Sequence, residues 1–196
     1  MVGKLKIMNL IILGPHGAGK GTQAKLISER YKIPRISTGD IFREHMKNNT
    51  NFGKKVKSYM DGNVYVPDKL TNVVIGVKLK QHKPEGFILD GYPRTLAQAE
   101  FLDRLLAELE TEIDGVINLG VNKEELIKRM IKRGKEEGRM DDTEEGIRSR
   151  MHEYETKAEP VVGYYRSMGK IVDINGDQTI EKVFKDIKQV LDRLIG

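Results

Sequence analysis

An α/β fold, with a parallel sheet of about five strands covered by helices on both faces, is predicted by three features of the sequence. Short apolar runs alternate with segments of helical periodicity along the chain. A glycine-rich loop joins the first apolar run to the first helical segment. No internal repeat, low-complexity tract or Pro/Ser-rich linker breaks the pattern, so the 196 residues suit one domain over 1–196.

The strand-like runs are Ile7–Leu13, Ile33–Ile36, Phe87–Leu89, Val116–Val121 and Ile171–Ile174. Behind the glycine loop, Ala24, Ile27 and Tyr31 recur at helical spacing. Pro67 suits the first turn of a helix whose apolar face is read as Leu70, Val73, Val74 and Val77. Thr95 opens another, carrying Ala99, Leu102, Leu105, Leu106 and Leu109, and Lys123–Arg133 forms the next. Asp142, with Glu145 three residues on, reads as the cap of a helix striped by Ile147, Met151, Tyr154 and Ala158. Residues Ile180–Leu194 close the chain, with Val183, Ile187, Val190 and Leu194 on one face. Residues 38–66 read as short polar helices, and 133–142 is nearly all charge and glycine. Both are expected to be mobile attachments that bury little apolar area.

Composition excludes several classes. No stretch approaches the roughly 18 apolar residues that span a bilayer. Cysteine is absent and the four histidines are scattered, which removes a disulfide framework and a Cys-based zinc site. The first residues are too short a lead for a signal peptide, so a cytoplasmic location is expected. A net charge of +5, from 34 basic and 29 acidic residues, suits anionic ligands without marking a nucleic-acid-binding face.

The most informative string is Gly14-Pro15-His16-Gly17-Ala18-Gly19-Lys20-Gly21-Thr22, between a strand and a helix. Glycines let backbone N–H groups converge on phosphate oxygens, the helix start adds its positive dipole end, and Lys20 adds a full charge. The predicted fold is therefore of the P-loop NTPase type. Gly21 follows Lys20 where a Ser or Thr hydroxyl would reach Mg²⁺ directly, leaving Thr22 to contact phosphate.

Four further segments carry chemistry. In Ile36–Arg43, Ser37 or Thr38 can cap a helix, and Thr38 and Arg43 can face a second ligand. The run Phe87–Leu89 ends in Asp90, a carboxylate placed to organise Mg²⁺ and its waters, and Arg94 follows at the same strand end. Arg129 and Arg133 share a helical face, Arg139 follows, and Arg150 stands beside a buried stripe while Arg148 points away. Converging arginines suit the charge spread over a migrating phosphoryl group. Val64, Tyr65 and Val66, just before Pro67, can line a base pocket.

Taken together, Gly14–Gln23, Ser37-Thr38-Gly39-Asp40, Asp90-Gly91-Tyr92-Pro93-Arg94-Thr95, Arg139, Asp141-Asp142 and Arg150 resemble the adenylate kinase family. The resemblance covers nearly the whole chain in order. It implies ATP + AMP ⇌ 2 ADP with Mg²⁺, a small segment over about 37–66 that binds the monophosphate, and a short lid over about 133–143. By position, Gly17, Ala18, Gly19, Lys20, Gly21 and Thr22 would cradle the ATP phosphates, with Arg129 on its adenine and Gln178 offering backbone to that base. Thr38, Arg43, Val64, Tyr65, Val66, Gly91, Tyr92, Pro93, Arg94, Gln98, Arg139 and Arg150 would hold AMP. Lys20, Arg94, Arg133, Arg139 and Arg150 would surround the migrating group, and Asp90 would reach Mg²⁺ through water.

Thr38 and Thr95 are of the adenylate rather than the uridylate–cytidylate type, and the five residues between Arg133 and Arg139 leave no room for a zinc-bearing lid. Neither nucleic acid nor membrane is an expected partner, and a monomer is expected. His16 departs from the family's common loop. The alternatives are a kinase preferring UMP or CMP, and an RNA-binding module built on the basic cluster 129–139. Scarce aromatic residues count against the latter.

Overall fold

The computed structural model describes residues 7–82, 85–137 and 143–195. Strands β1 (Asn9–Leu13), β2 (Arg35–Ser37), β3 (Phe87–Asp90), β4 (Gly115–Gly120) and β5 (Ile171–Asn175) form one sheet in the order β2-β3-β1-β4-β5. Every pairing is parallel, with Ile12 beside Asp90, Leu13 beside Asn118 and Ser37 beside Asp90. All five carboxyl ends therefore reach one edge, where such sheets bind ligands.

The helices are α1 (Lys20–Tyr31), α2 (Thr38–Lys47), α3 (Asn51–Asp61), α4 (Asp68–His82), α5 (Leu96–Glu108), α6 (Lys123–Glu137), α7 (Glu144–Glu153), α8 (Glu159–Ser167) and α9 (Ile180–Ile195). A π-helical turn, Tyr154–Ala158, joins α7 to α8. Because strand side chains alternate, Leu10 and Ile12 serve one face and Ile11 and Leu13 the other. The first face packs α1, α6, α7 and α9 through Ile27, Met130, Ile147 and Ile187. The second packs α4, α5 and α8 through Leu79, Leu102 and Tyr165. Among the described residues no helix is long and apolar enough to cross a membrane.

Four expectations are corrected. Helix α4 turns Thr71, Ile75 and Leu79 inward, leaving Val73 and Val77 63% and 53% exposed. Thr71 tolerates burial because its hydroxyl donates to the carbonyls of Val66 and Pro67. The cap of α7 is Thr143, whose hydroxyl accepts from Gly146 N–H, one residue later than the expected Asp142. Helix α6 runs past Arg133 to Glu137, so the start of the expected lid is helical. Residues 38–66 own a small core, Phe42, Val56 and Val66, flanked by Phe52, Tyr59 and Leu70. Gly138, Arg139, Met140, Asp141 and Asp142 lie outside the described residues.

Candidate active site

A cleft of about 940 Å³ opens at the carboxyl edge of the sheet. Its floor is the loop after β1. Gly19 closes that loop at φ 88° and caps α1 with no side-chain hydrogen bond, a conformation that glycine adopts without strain. The first N–H groups of α1 thus keep their capacity for an anion.

Lys20 Nζ donates to the carbonyls of Gly14 and Pro15, each at 2.7 Å. Burial lowers its pKa to about 7; Asp90 opposes that shift, and Arg94 and Arg133 assist it. Gly21 faces Asp90: a side chain there would meet Asp90 Oδ2 at 3.5 Å and Arg35 Nη2 at 3.4 Å.

Asp90 is buried at the end of β3 and accepts two hydrogen bonds from Arg35, at 2.7 and 3.2 Å. The same guanidinium reaches Asp40 on α2 at 2.7 Å, and Asp40 also accepts from Arg43. Burial works against the charge on Arg35, yet the Asp90 and Asp40 carboxylates raise its pKa. Arg43, Asp40, Arg35 and Asp90 therefore form a continuous chain of charges across the cleft.

Ser37 caps α2 by accepting from Asp40 N–H, which frees Thr38 for another role. The Thr38 hydroxyl donates to Gly91 carbonyl at 2.9 Å, pinning α2 to the turn after β3. In that turn Arg94 Nε donates to Gly91 carbonyl at 2.8 Å, and the guanidinium lies 5.0 Å from the Tyr65 ring centre. Gln98 is held at both ends of its amide: the oxygen accepts from Arg94 N–H and the NH₂ donates to Asp68 at 2.6 Å.

The cleft brings together most of the residues singled out in the sequence. Gly17, Ala18, Gly19, Lys20, Gly21, Thr22, Arg129, Arg133 and Gln178 line it, as do Thr38, Arg43, Val64, Tyr65, Val66, Asp90, Gly91, Arg94, Gln98 and Arg150. Arg129 Nη1 donates to Gly176 carbonyl, beside the loop that carries Gln178. Arg150 is 92% buried, consistent with its place beside the apolar stripe.

Two residues fall elsewhere. Tyr92 points into the core, its hydroxyl donating to Asn72 and the Gln98 carbonyl, and Pro93 lines a small cavity behind the phosphate loop. Neither lines the cleft, which their neighbours Gly91 and Arg94 do. Arg139 lies outside the described residues. Arg35 and Asp68 were missed by the sequence reading, because each acts through a partner that the fold alone brings near. His16 lines the cleft as well, with its Nε2 3.2 Å from Arg94 Nη1.

A family model described as adenylate kinase matches residues 12–170. The chain is 44% identical to an adenylate kinase of Archaeoglobus fulgidus, across 95% of this chain and 99% of that one. It is 48% identical to an adenylate kinase of Leptospira biflexa, across 91% and 96%. A third relative, an adenylate kinase of Flavobacterium johnsoniae, is 42% identical across 96% and 100%.

Proposed function

This chain belongs to the adenylate kinase family of phosphotransferases, and from that premise we propose how its cleft carries a phosphoryl group from ATP to AMP. The observation that carries the reading is the gathering of Lys20, Arg94, Arg133 and Arg150 along one cleft with two differently lined ends. The donor lies along Gly17–Thr22 with its base between Arg129 and the segment at Gln178. The acceptor lies along Thr38, Arg43 and Val64–Val66, with its phosphate at Arg94.

An oxygen of the AMP phosphate attacks the γ-phosphorus as the bond to the β–γ bridging oxygen breaks, and the bridging electrons leave with ADP. No protein nucleophile is needed. Lys20 and the arginines meet the charge that develops on the transferring group, in positions fixed before substrate arrives. Arg139 is assigned to the same group from its place in the sequence motif. The acceptor arm, residues 37–66, and the segment near 133–143 exclude water, which would otherwise take the phosphoryl group.

The residues present fit Mg²⁺ carried on ATP. Asp90 offers a carboxylate and Gly21 offers no hydroxyl, a donor set for holding the ion through its water shell. When bound, that ion would neutralise charge on the phosphate groups as the transfer proceeds.

The test is a coupled assay with ATP as donor and AMP, CMP and UMP as parallel acceptors. AMP is expected to give the highest kcat/KM. AMP as the poorest acceptor would overturn the assignment of the acceptor end.

A further inference from the structure

We propose that His16 is a positioning residue for the transfer: its neutral imidazole accepts a hydrogen bond from Arg94 and holds that guanidinium where the acceptor phosphate arrives. The inference rests on the placing of Arg94 at the acceptor phosphate. A guanidinium has only donors, so the 3.2 Å approach of Arg94 Nη1 to His16 Nε2 requires a lone pair on that nitrogen. The proton of the neutral ring then sits on Nδ1.

Arg94 is held from three directions. Its Nε donates to Gly91 carbonyl, its face lies against Tyr65, and its Nη1 meets His16. The first restraint comes from its own turn and the second from the acceptor arm. The third comes from the phosphate loop, so His16 ties the acceptor's arginine to the donor's floor. A guanidinium fixed from several sides loses less freedom when it grips phosphate.

The surroundings keep the imidazole unprotonated. Lys20 on α1, Arg94 after β3, Arg133 on α6 and Arg150 on α7 all oppose a charge there. Burial opposes it most, and the pKa falls well below the ordinary histidine range. The other titratable groups on the small cavity behind the ring are the phenols of Tyr65 and Tyr154, both raised by burial and so neutral. Glu153 acts on Tyr65. Protonating His16 would remove the acceptor and add a fifth cation to Lys20, Arg94, Arg133 and Arg150.

The test is steady-state kinetics on the full chain for the wild type, His16→Phe and His16→Gln, with AMP varied at saturating ATP and ATP varied at fixed AMP. Phenylalanine keeps a ring without the acceptor, and glutamine keeps an acceptor that does not titrate. His16→Phe is expected to lose about tenfold in kcat/KM for AMP, with the KM for ATP changed far less. His16→Gln is expected to recover most of that loss. Because the imidazole stays neutral well below the ordinary histidine range, the wild type and His16→Gln should show the same dependence of kcat/KM for AMP between about pH 7 and pH 5, the titration of AMP itself being common to both. In an Arg94→Ala background, His16→Phe should cost nothing further.

Wild-type kinetics in His16→Phe would overturn the proposal. So would a glutamine variant as poor as the phenylalanine one, or a wild type that loses kcat/KM for AMP more steeply than the glutamine variant between about pH 7 and pH 5. Arg94→Ala with undiminished kcat/KM for AMP would instead remove the parent assignment of Arg94, and this inference with it.

Discussion

Lys20 shows how burial stores a proton deficit for a ligand to fill. With its pKa near 7 in the fold and near 10.5 in the unfolded chain, the unfolded state holds more protons between those values. The contribution of Lys20 to stability therefore rises with pH across that window and is smallest below it. A bound triphosphate restores the charged ammonium, so nucleotide binding at about pH 8 should take up close to one proton. Calorimetry in buffers of different ionisation enthalpy reads this directly, and Lys20→Met should abolish it. Arg94→Ala should lower kcat by about 10²–10³-fold, with a midpoint of unfolding within a few degrees of wild type. Loss of folding in that variant would instead place Arg94 in the scaffold. At this scale the motif residues were legible, because glycines, Lys20 and Asp90 lie in contiguous strings. Arg35 was not, since 55 positions separate it from Asp90 and strand order alone brings them together. Asp68 was hidden for the same reason, 30 positions from Gln98.

The acceptor arm is an element with its own stability. Helices α2 and α3 meet so closely at Gly53 that a Cβ there would stand 2.1 Å from His45 carbonyl oxygen. Gly53→Ala should therefore push α3 away from α2 and raise the KM for AMP by tenfold or more, roughly the effect of a 1–3 kcal/mol overpacking strain. The affinity for ATP should stay near wild type. Equal losses for both nucleotides would mean that the arm and the donor end unfold together. Element types were legible wherever one apolar stripe dominated, as in α5 and α9. Helix α4 offered two stripes, and the sequence carried no sign that Thr71 would find carbonyl partners and go inward. The core of the arm was missed because Phe42, Val56 and Val66 come from three separate segments.

At the scale of the molecule, both ends of the cleft should be fillable by one ligand. Two adenosines joined by five phosphates, at about a thousand times the Kd, should stabilise the fold by about 4 kcal/mol. That corresponds to a rise in the unfolding midpoint of about 10 °C for a chain of this size. A rise no larger than that with ATP alone would show that the acceptor end stays empty. The parallel sheet was legible from alternation; its strand order was not, because any arrangement of buried runs satisfies the same pattern. The π-helical turn between α7 and α8 has a consequence of its own. It gives an otherwise continuous rod a surplus of about one residue, and each residue rotates the downstream helix by about 100°. Excising one position from Tyr154–Ala158 would leave a tighter, better-bonded rod. Arg150 would stay at the cleft and Val161 and Tyr165 on the sheet, because the wide turn already absorbs the surplus residue; keeping that residue in a regular α-helix is what would swing them off the sheet they now cover.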